Sequence, residues 1–143
     1  MAEKTLRLKI ITPDEVKLDD DVDMVIMRCM TGDMGILPGH EARSAILDYG
    51  VVRIYSSIAD LRWLAVFGGM AEIKDDVVTI LANDAVWPQD VDSAEALEIA
   101  REQAERKIKE SDDDDEIQKY HAQLRRTLVE IEVSSYPVVG GRG

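Results

Sequence analysis

The sequence predicts an N-terminal antiparallel β-sandwich followed by a C-terminal α-helical hairpin, which is an all-β domain plus two helices. Short β-branched or alternating segments recur through residues 6–81 with turn signals between them, a pattern typical of sandwiches and barrels. After Trp87-Pro88 the β-branched residues thin out and apolar residues recur at helical spacing. A length of 143 residues suits one small domain with an appendage. We expect a sandwich over residues 1–88, a two-helix arm over residues 89–137 and a flexible tail over residues 138–143.

The strands are predicted from alternating side chains and from β-branched runs. Residues 6–11, Leu-Arg-Leu-Lys-Ile-Ile, alternate apolar with basic side chains, which is the period of a half-buried strand. Residues 74–76, Lys-Asp-Asp, separate two apolar segments and predict a hairpin turn. The predicted strands cover residues 6–11, 15–19, 22–30, 45–47, 50–55, 61–67, 69–73 and 77–81.

Residues 32–40, Gly-Asp-Met-Gly-Ile-Leu-Pro-Gly-His, interrupt the strands with three glycines and one proline. Glycine at this density indicates torsions that a Cβ would forbid, and Pro-Gly is a strong turn dipeptide. The apolar residues favour a tightly folded connection, with Ile36 or Leu37 packed inward. We expect Asp33 and His40 to be exposed at one end of the sandwich, away from the helices. A structural turn that binds nothing is the alternative, because tight turns outnumber binding loops.

The first helix is predicted to begin at Asp92, a good N-cap, with Glu95 three residues on in a capping-box pattern. Because half of its apolar stripe is alanine, which buries little area, we expect the arm to dock weakly. Residues 111–115, a serine and four aspartates, end this helix. A calcium loop is excluded there, because the pattern lacks the glycine and the distant glutamate that such a loop needs. The stripe consists of Leu97, Ala100, Ala104 and Ile108.

The second helix follows the aspartates, whose charge favours the N-terminal end of a helix dipole. Its stripe is predicted to face that of the first helix in a helical hairpin. Arg125 lies at the flank of the stripe and Arg126 lies on the opposite face, where pairing with acids of the same helix is the simplest interpretation. The stripe consists of Ile117, Tyr120, Leu124, Leu128 and Ile131.

Composition and charge exclude several classes of function. The net charge of −12 argues against binding to nucleic acid and against adhesion to anionic lipid. No apolar run approaches the ~20 residues of a membrane-spanning helix, and the N-terminus has no signal-peptide core. Cys29, the only cysteine, is predicted to be a buried thiol in a reducing compartment.

Motifs of enzyme active sites are missing from the sequence. It has no Walker loop, HExxH or CxxC motif, and its two histidines are too few and too far apart for a typical zinc site. A catalytic triad could be assembled on paper from Ser44, His40 and Asp48, but the sequence around Ser44 does not form a nucleophile elbow. We therefore expect the chain to be no enzyme by itself, with no catalytic residue and no metal.

Two segments together resemble a known family. Residues 32–40 resemble the signature of the epsilon subunit of rotary ATP synthases, which is called delta in mitochondria. Residues 67–73, Phe-Gly-Gly-Met-Ala-Glu-Ile, and residues 77–85, Val-Val-Thr-Ile-Leu-Ala-Asn-Asp-Ala, are similar to the Gly-Gly and Val-Thr strands of the same family. The resemblance spans residues 5 to about 133 with the motifs in the family's order.

The resemblance implies a rotor subunit of the central stalk of a proton- or sodium-translocating ATP synthase, on the cytoplasmic face of a bacterial plasma membrane. In the family the sandwich binds the gamma subunit and rests on the ring of c subunits, which assigns Asp33 and His40 to the ring side. The helical arm permits rotation both ways when docked and opposes ATP hydrolysis when extended into the alpha/beta catalytic head. Basic residues of the second helix then meet an acidic segment of the beta subunit, which nominates Arg125 and Arg126.

Some bacterial members of this family bind ATP through an Ile/Leu-Asp-x-x-Arg-Ala pattern at the start of the first helix. Residues 91–96 here are Val-Asp-Ser-Ala-Glu-Ala, so Asp92 is the remaining nucleotide candidate and Glu95 replaces the arginine. Since a carboxylate repels a polyphosphate, we expect no cofactor and weak ATP binding at most. A free-standing adaptor and a nucleotide-sensing module remain the alternatives to a rotor subunit.

Overall fold

A computed structural model describes residues 4–57 and 60–137, so the predicted tail at residues 138–143 lies outside the described residues. The described residues form eight strands, a short 3-10 helix at Pro88–Asp90 and two α-helices. The strands are β1 (Leu6–Ile11), β2 (Val16–Val22), β3 (Met24–Cys29), β4 (Gly32–Ile36), β5 (Arg43–Ser57), β6 (Asp60–Lys74), β7 (Val77–Ala82) and β8 (Ala85–Val86). The helices are α1 (Ala94–Glu110) and α2 (Asp114–Ser134).

The strands form one sheet that folds over a common core. Its hydrogen-bonded order is β2-β1-β7-β6-β5-β3-β4, and β8 pairs with β6. Among the described strands, only β1 and β7 pair in parallel, with Leu8 opposite Val78, so the antiparallel prediction fails at this pair alone. A sandwich followed by two helices, the predicted fold class, is confirmed.

The longest strands, β5 and β6, were each predicted as two short strands and are continuous over 15 residues. The predicted break in β6 falls at Gly68 and that in β5 at residues 48–49, just before Gly50, and neither ends the ladder. Gly69 has a φ of 131°, yet it still pairs with Leu47 on β5 and Ala82 on β7. A Cβ at Gly69 would stand 2.1 Å from the carbonyl oxygen of Leu81, so close packing of β6 against β7 requires glycine here.

Two apolar clusters lie on opposite faces of β5 and β6. Along β6, Leu64 and Val66 enter the main core, whereas Ala65 and Phe67 point to the other face, since successive side chains of a strand alternate. There they meet residues of α2 in a second cluster. Over the described residues, no side chain of either helix belongs to the main core. The fully buried side chains of the main core include Leu6, Leu8, Ile10, Val25, Met27, Ile36, Ile54, Leu64, Ile73 and Ile80.

The helix boundaries differ slightly from the prediction. The N-cap of α1 is Ser93 and not Asp92, and its side chain accepts a hydrogen bond from the backbone N–H of Ala96 at 3.1 Å. The predicted capping box with Glu95 is therefore wrong by one residue, because serine and aspartate cap equally well and both were available. Asp113 caps α2, so two of the four aspartates lie inside its first turn, where their charge offsets the helix dipole.

The prediction of a weakly docked arm was based on the wrong helix. The arm lies on the sandwich through α2, while α1 packs against α2. Val129 and Val133 of α2 are buried against the sheet, whereas Leu128, predicted in the stripe, is 47% exposed. The second helix thus has two apolar faces, one toward α1 and one toward the sheet, and the single-stripe interpretation merged them.

Candidate partner-binding site

The glycine-rich segment at residues 32–40 is half strand and half turn. Its first five residues form β4, which pairs with β3 and places Ile36 opposite Val25 in the main core. The prediction of a folded connection is therefore wrong for these residues, because β4 completes the ladder beside β3. Of the two candidates for inward packing, Ile36 is fully buried and Leu37 is 57% exposed.

The turn that follows β4 is tied to the hairpin between β6 and β7. The backbone N–H of Gly39 donates to Asp76 Oδ1 at 2.7 Å, and Gly39 has a φ of 87°, which favours glycine. The backbone N–H of His40 donates to the carbonyl of Leu37 at 3.2 Å, and its Nδ1 lies 2.8 Å from the carbonyl of Glu41. These contacts fix His40 beside the hairpin turn.

Asp33 lies close to the arm and not away from it as predicted. Its partner across the β3–β4 ladder is Arg28, whose Nε lies 3.6 Å from Asp33 Oδ1. Nη1 of the same guanidinium lies 3.6 Å from Glu132 Oε1 on α2. Arg28 crosses β5 over Gly50, where a Cβ would come within 2.7 Å of Arg28 Cδ. One arginine therefore connects the glycine-rich segment to the arm.

The apolar part of the arm–sandwich contact is the second cluster. Val133 is fully buried and Val129 nearly so, against Val51, Ala65 and Phe67 of the sheet. At the C-terminal end of α2, the ring of Tyr136 stacks on Trp63 with centroids 4.9 Å apart and an interplanar angle of 2°. Sequence reasoning missed this contact. The unbroken apolar run Leu64–Phe67 was the available signal, since a strand apolar on both faces is covered on both.

Arg125 and Arg126, predicted to meet a partner, both contact the sandwich. The guanidinium of Arg126 lies 4.0 Å from the ring centroid of Phe67, and its Nη1 forms an ion pair with Asp84 Oδ2 at 2.8 Å. The guanidinium of Arg125 lies 4.6 Å from the ring centroid of Tyr49, with Asp48 Oδ1 4.0 Å from its Nη1. Each arginine thus has an aromatic face and a carboxylate of the sandwich beside it.

Acidic residues surround Arg126. Burial raises the pKa of Glu130, whose Oε1 lies 3.5 Å from Arg126 Nε; Arg126 opposes the rise, and the charges of Asp92 and Asp84 add to it. Arg126 is therefore paired with both Asp84 and Glu130, and the charge of Asp92 acts on the same Glu130 carboxylate. The nucleotide candidate Asp92 belongs to this group and is exposed, and Glu95 is exposed in the first turn of α1. A polyphosphate would meet mainly negative charge here.

An exposed apolar row crosses the sheet next to the arm, and consists of Met30, Ile46, Met70 and Leu81. Ile46 pairs with Met70 across β5 and β6, and Met70 with Leu81 across β6 and β7. The backbone N–H of Met30 donates to the carbonyl of Ile46 at 2.9 Å, which places Met30 next in the row. The four side chains are 42–63% exposed. They line an open cleft whose wall includes Arg125 of the arm. A contiguous apolar patch of this kind is a candidate binding surface.

Three further features concern the described residues as a whole. Cys29 is buried, as expected, and burial raises the pKa of its thiol. In the part of the chain that the structure describes, no helix is long and apolar enough to cross a membrane. Within residues 4–57 and 60–137, no three histidine, cysteine or acidic side chains are grouped to hold a metal ion.

Comparison with known proteins identifies the family. The model of the ATP synthase delta/epsilon chain beta-sandwich domain matches residues 5–88. The chain belongs to the ATP synthase delta/epsilon family. It is 37% identical over 131 residues to the ATP synthase epsilon chain of Bacillus velezensis, with 92% of this chain and 98% of that one covered. It is 40% identical over 114 residues to the epsilon chain of Bacillus subtilis, covering 80% and 85%.

Solved structures agree with the family assignment. A chain of the mitochondrial ATP synthase of Euglena gracilis, in a structure of OSCP, F1 and c-ring, matches this epsilon-family chain with a TM-score of 0.81 and 26% identity. The match covers 92% of this chain and 82% of that one. A chain from the central stalk and c-ring of the Tetrahymena thermophila enzyme matches with a TM-score of 0.52 at 12% identity, which shows the fold alone. The resemblance of residues 32–40 and 67–85 to the epsilon signature is thereby confirmed.

Proposed function

We propose that this epsilon-family chain is a non-catalytic rotor subunit in the central stalk of a bacterial ATP synthase. It couples rotation of the proton- or sodium-carrying ring to ATP synthesis, and its arm opposes ATP hydrolysis when it leaves the sandwich. The observation that supports the moving arm is the separation of the two apolar clusters. Over the described residues, the main core contains no side chain from the arm. The arm can therefore leave the sandwich without exposing the main core. We propose the unit boundaries at residues 1–88 and 89–137.

Three surfaces fit three kinds of partner. The exposed apolar row fits the gamma subunit, since an apolar patch on a chain of net charge −12 favours a different chain over a second copy of itself. Asp33 and His40 are proposed to contact the c-subunit ring. Arg125 and Arg126 are proposed to contact the alpha/beta catalytic head once the arm extends. The chain would then lie peripherally on the cytoplasmic face of the plasma membrane, as its bacterial relatives suggest.

Replacing Met70 by glutamate should weaken binding to gamma about tenfold or more, because a charge would be buried in the centre of the exposed apolar row. The measurement is the affinity of the purified chain for gamma. Val16→Glu is the matched control, since Val16 is 60% exposed on β2 outside the row and should leave the affinity unchanged. Equal affinities for the two variants would place gamma elsewhere.

Cysteines at positions 33 and 40 should crosslink to subunits of the c ring in membranes. Asp33 is exposed and His40 half-buried in the glycine-rich segment, so both are reachable by a short crosslinker. Met70→Cys, expected to crosslink to gamma, serves as the positive control. A gamma crosslink without any ring crosslink from positions 33 and 40 would count against the proposed ring surface.

The purified chain should bind ATP no more tightly than the millimolar range and should not hydrolyse it. Glu95 and the acidic group around Arg126 repel a polyphosphate, so Glu95→Arg should strengthen binding by restoring a cation. Calorimetric titration measures both affinities, and Glu102→Arg, an exposed site on α1, controls for the change in net charge. Micromolar binding by the unaltered chain would show that Glu95 does not prevent it.

A further inference from the structure

The two arginines that the proposed function assigns to the catalytic head are already in use in the docked arm. Arg126 pairs with Asp84 at 2.8 Å and lies over Phe67, and Arg125 lies over Tyr49 with Asp48 4.0 Å away. Asp84 and Phe67 already occupy one edge and one face of the Arg126 guanidinium, so a carboxylate of another protein must displace Asp84 to make the same contact. Docking and external binding therefore compete for these contacts.

We propose that Asp84, helped by Asp48, holds these arginines in place of an external carboxylate-rich segment, so that release of the arm is an exchange of carboxylate partners. This inference rests on the proposed function of the arm and adds how its position is controlled. The carboxylates of the sandwich compete at high effective concentration, because they belong to the same chain. Binding to the external segment must also compensate for the cation–π attraction that the arginines lose when they leave the aromatic rings of the sandwich.

The sandwich is built to present Asp84 to the arm. Asp84 lies in the turn between β7 and β8, where its Oδ1 accepts the backbone N–H of Ala85 at 2.9 Å, leaving Oδ2 for Arg126. The backbone carbonyl of Asp84 accepts the N–H of Phe67 at 3.0 Å, which holds the turn beside the ring under Arg126. An asparagine at this position would keep an oxygen for Ala85 and lose the charge, so Asp84→Asn tests the ion pair without disturbing the turn.

Exchange has a quantitative consequence. When the arm is mostly docked, only the small fraction of chains with a free arm can bind an external ligand of the arginines. The apparent affinity for that ligand is therefore the intrinsic affinity multiplied by this fraction. Weakening the Asp84–Arg126 pair should therefore tighten the binding of an acidic peptide by the same factor by which it loosens docking. For a half-exposed ion pair with an N–O distance of 2.8 Å, we expect a factor of about three to ten.

The test uses the isolated full chain and a fluorescent eight-residue peptide of aspartate, glutamate and serine. Docking is measured by electron paramagnetic resonance between spin labels at Ser44→Cys and Glu110→Cys, both exposed, in a Cys29→Ala background. Asp84→Asn should broaden the label distances and tighten peptide binding. Arg126→Gln, which also removes the contact with Phe67, should broaden the distances at least as much but weaken peptide binding. Asp14→Asn, in the turn between β1 and β2, makes the same charge change and should alter neither.

The two variants of this ion pair thus change peptide binding in opposite directions although both loosen docking, which a merely structural contact would not do. Tighter peptide binding by Asp84→Asn together with weaker binding by Arg126→Gln supports exchange. If Asp84→Asn loosens the arm without tightening peptide binding, or leaves the arm docked, exchange is wrong. Because no catalytic head is present, these results are independent of whether the arm inhibits hydrolysis in the assembled enzyme.

Discussion

A chain that ends after Pro88 should still fold and assemble, and the ATP synthase that contains it should hydrolyse ATP several-fold faster. The buried side chains of the main core lie between Leu6 and Ala85, so the sandwich keeps this core without the arm. Inhibition should be lost because Arg125 and Arg126 are removed with α2. The measurement is ATP hydrolysis by complexes assembled with the full-length or the shortened chain.

The shortened chain needs a control, since it uncovers Val51, Ala65 and Phe67. Burying Val129 and Val133 against them contributes on the order of 3 kcal/mol, a margin that a partner can offset. Val133→Ala in the full chain weakens docking while keeping the arginines, and should increase inhibition. A molten shortened chain would show that the arm belongs to the core. Folding and assembly with unchanged hydrolysis would show that the arm does not inhibit.

Gly69→Ala should destabilise the sandwich by about 3 kcal/mol or more. The added Cβ would stand 2.1 Å from the carbonyl oxygen of Leu81 and 2.9 Å from Ala82 Cα, and the φ of 131° is strained for any side chain. Both contacts are with backbone, so β6 and β7 must separate to relieve them. Urea unfolding of the two proteins measures the loss.

Gly35→Ala is the matched control for this substitution. Gly35 lies on β4, and a Cβ there would meet only Ile26 Cγ1, at an ordinary 3.8 Å. We expect its free energy of unfolding to change by less than about 1 kcal/mol. Equal losses at Gly35 and Gly69 would mean that the close approach of β6 and β7 is not what glycine provides.

The local features of the fold could be predicted because their signals are local. Alternation in residues 6–11 places Leu6, Leu8 and Ile10 in the core, and the Lys-Asp-Asp turn at residues 74–76 joins β6 to β7 as expected. Glycine was the source of error in β6, where the predicted break falls at Gly68. The same residue type marks the end of a strand or a bend within it, and only the neighbouring strand decides which.

Contacts between distant segments could not be predicted in the same way. Arg125 and Arg126 were singled out from their charge, but nothing in their spacing shows that Phe67, Tyr49 and Asp84 lie beneath them. Asp33 was expected far from the arm, because the sequence does not reveal that Arg28 links it to α2. The apolar run at residues 64–67 did carry a signal for a covered outer face. An unbroken apolar run indicates that both faces of the strand are covered, and alternation alone does not reveal this.

Co-purification from membranes tests the rotor assignment most directly. A tagged full-length chain, expressed in its own host and purified from gently solubilised membranes, should bring down gamma and the alpha and beta subunits of the catalytic head. The Met70→Glu chain should bring down much less, and the Val16→Glu chain as much as the unaltered one. A full-length chain recovered without gamma and without the catalytic head would contradict the assignment and favour a free-standing adaptor.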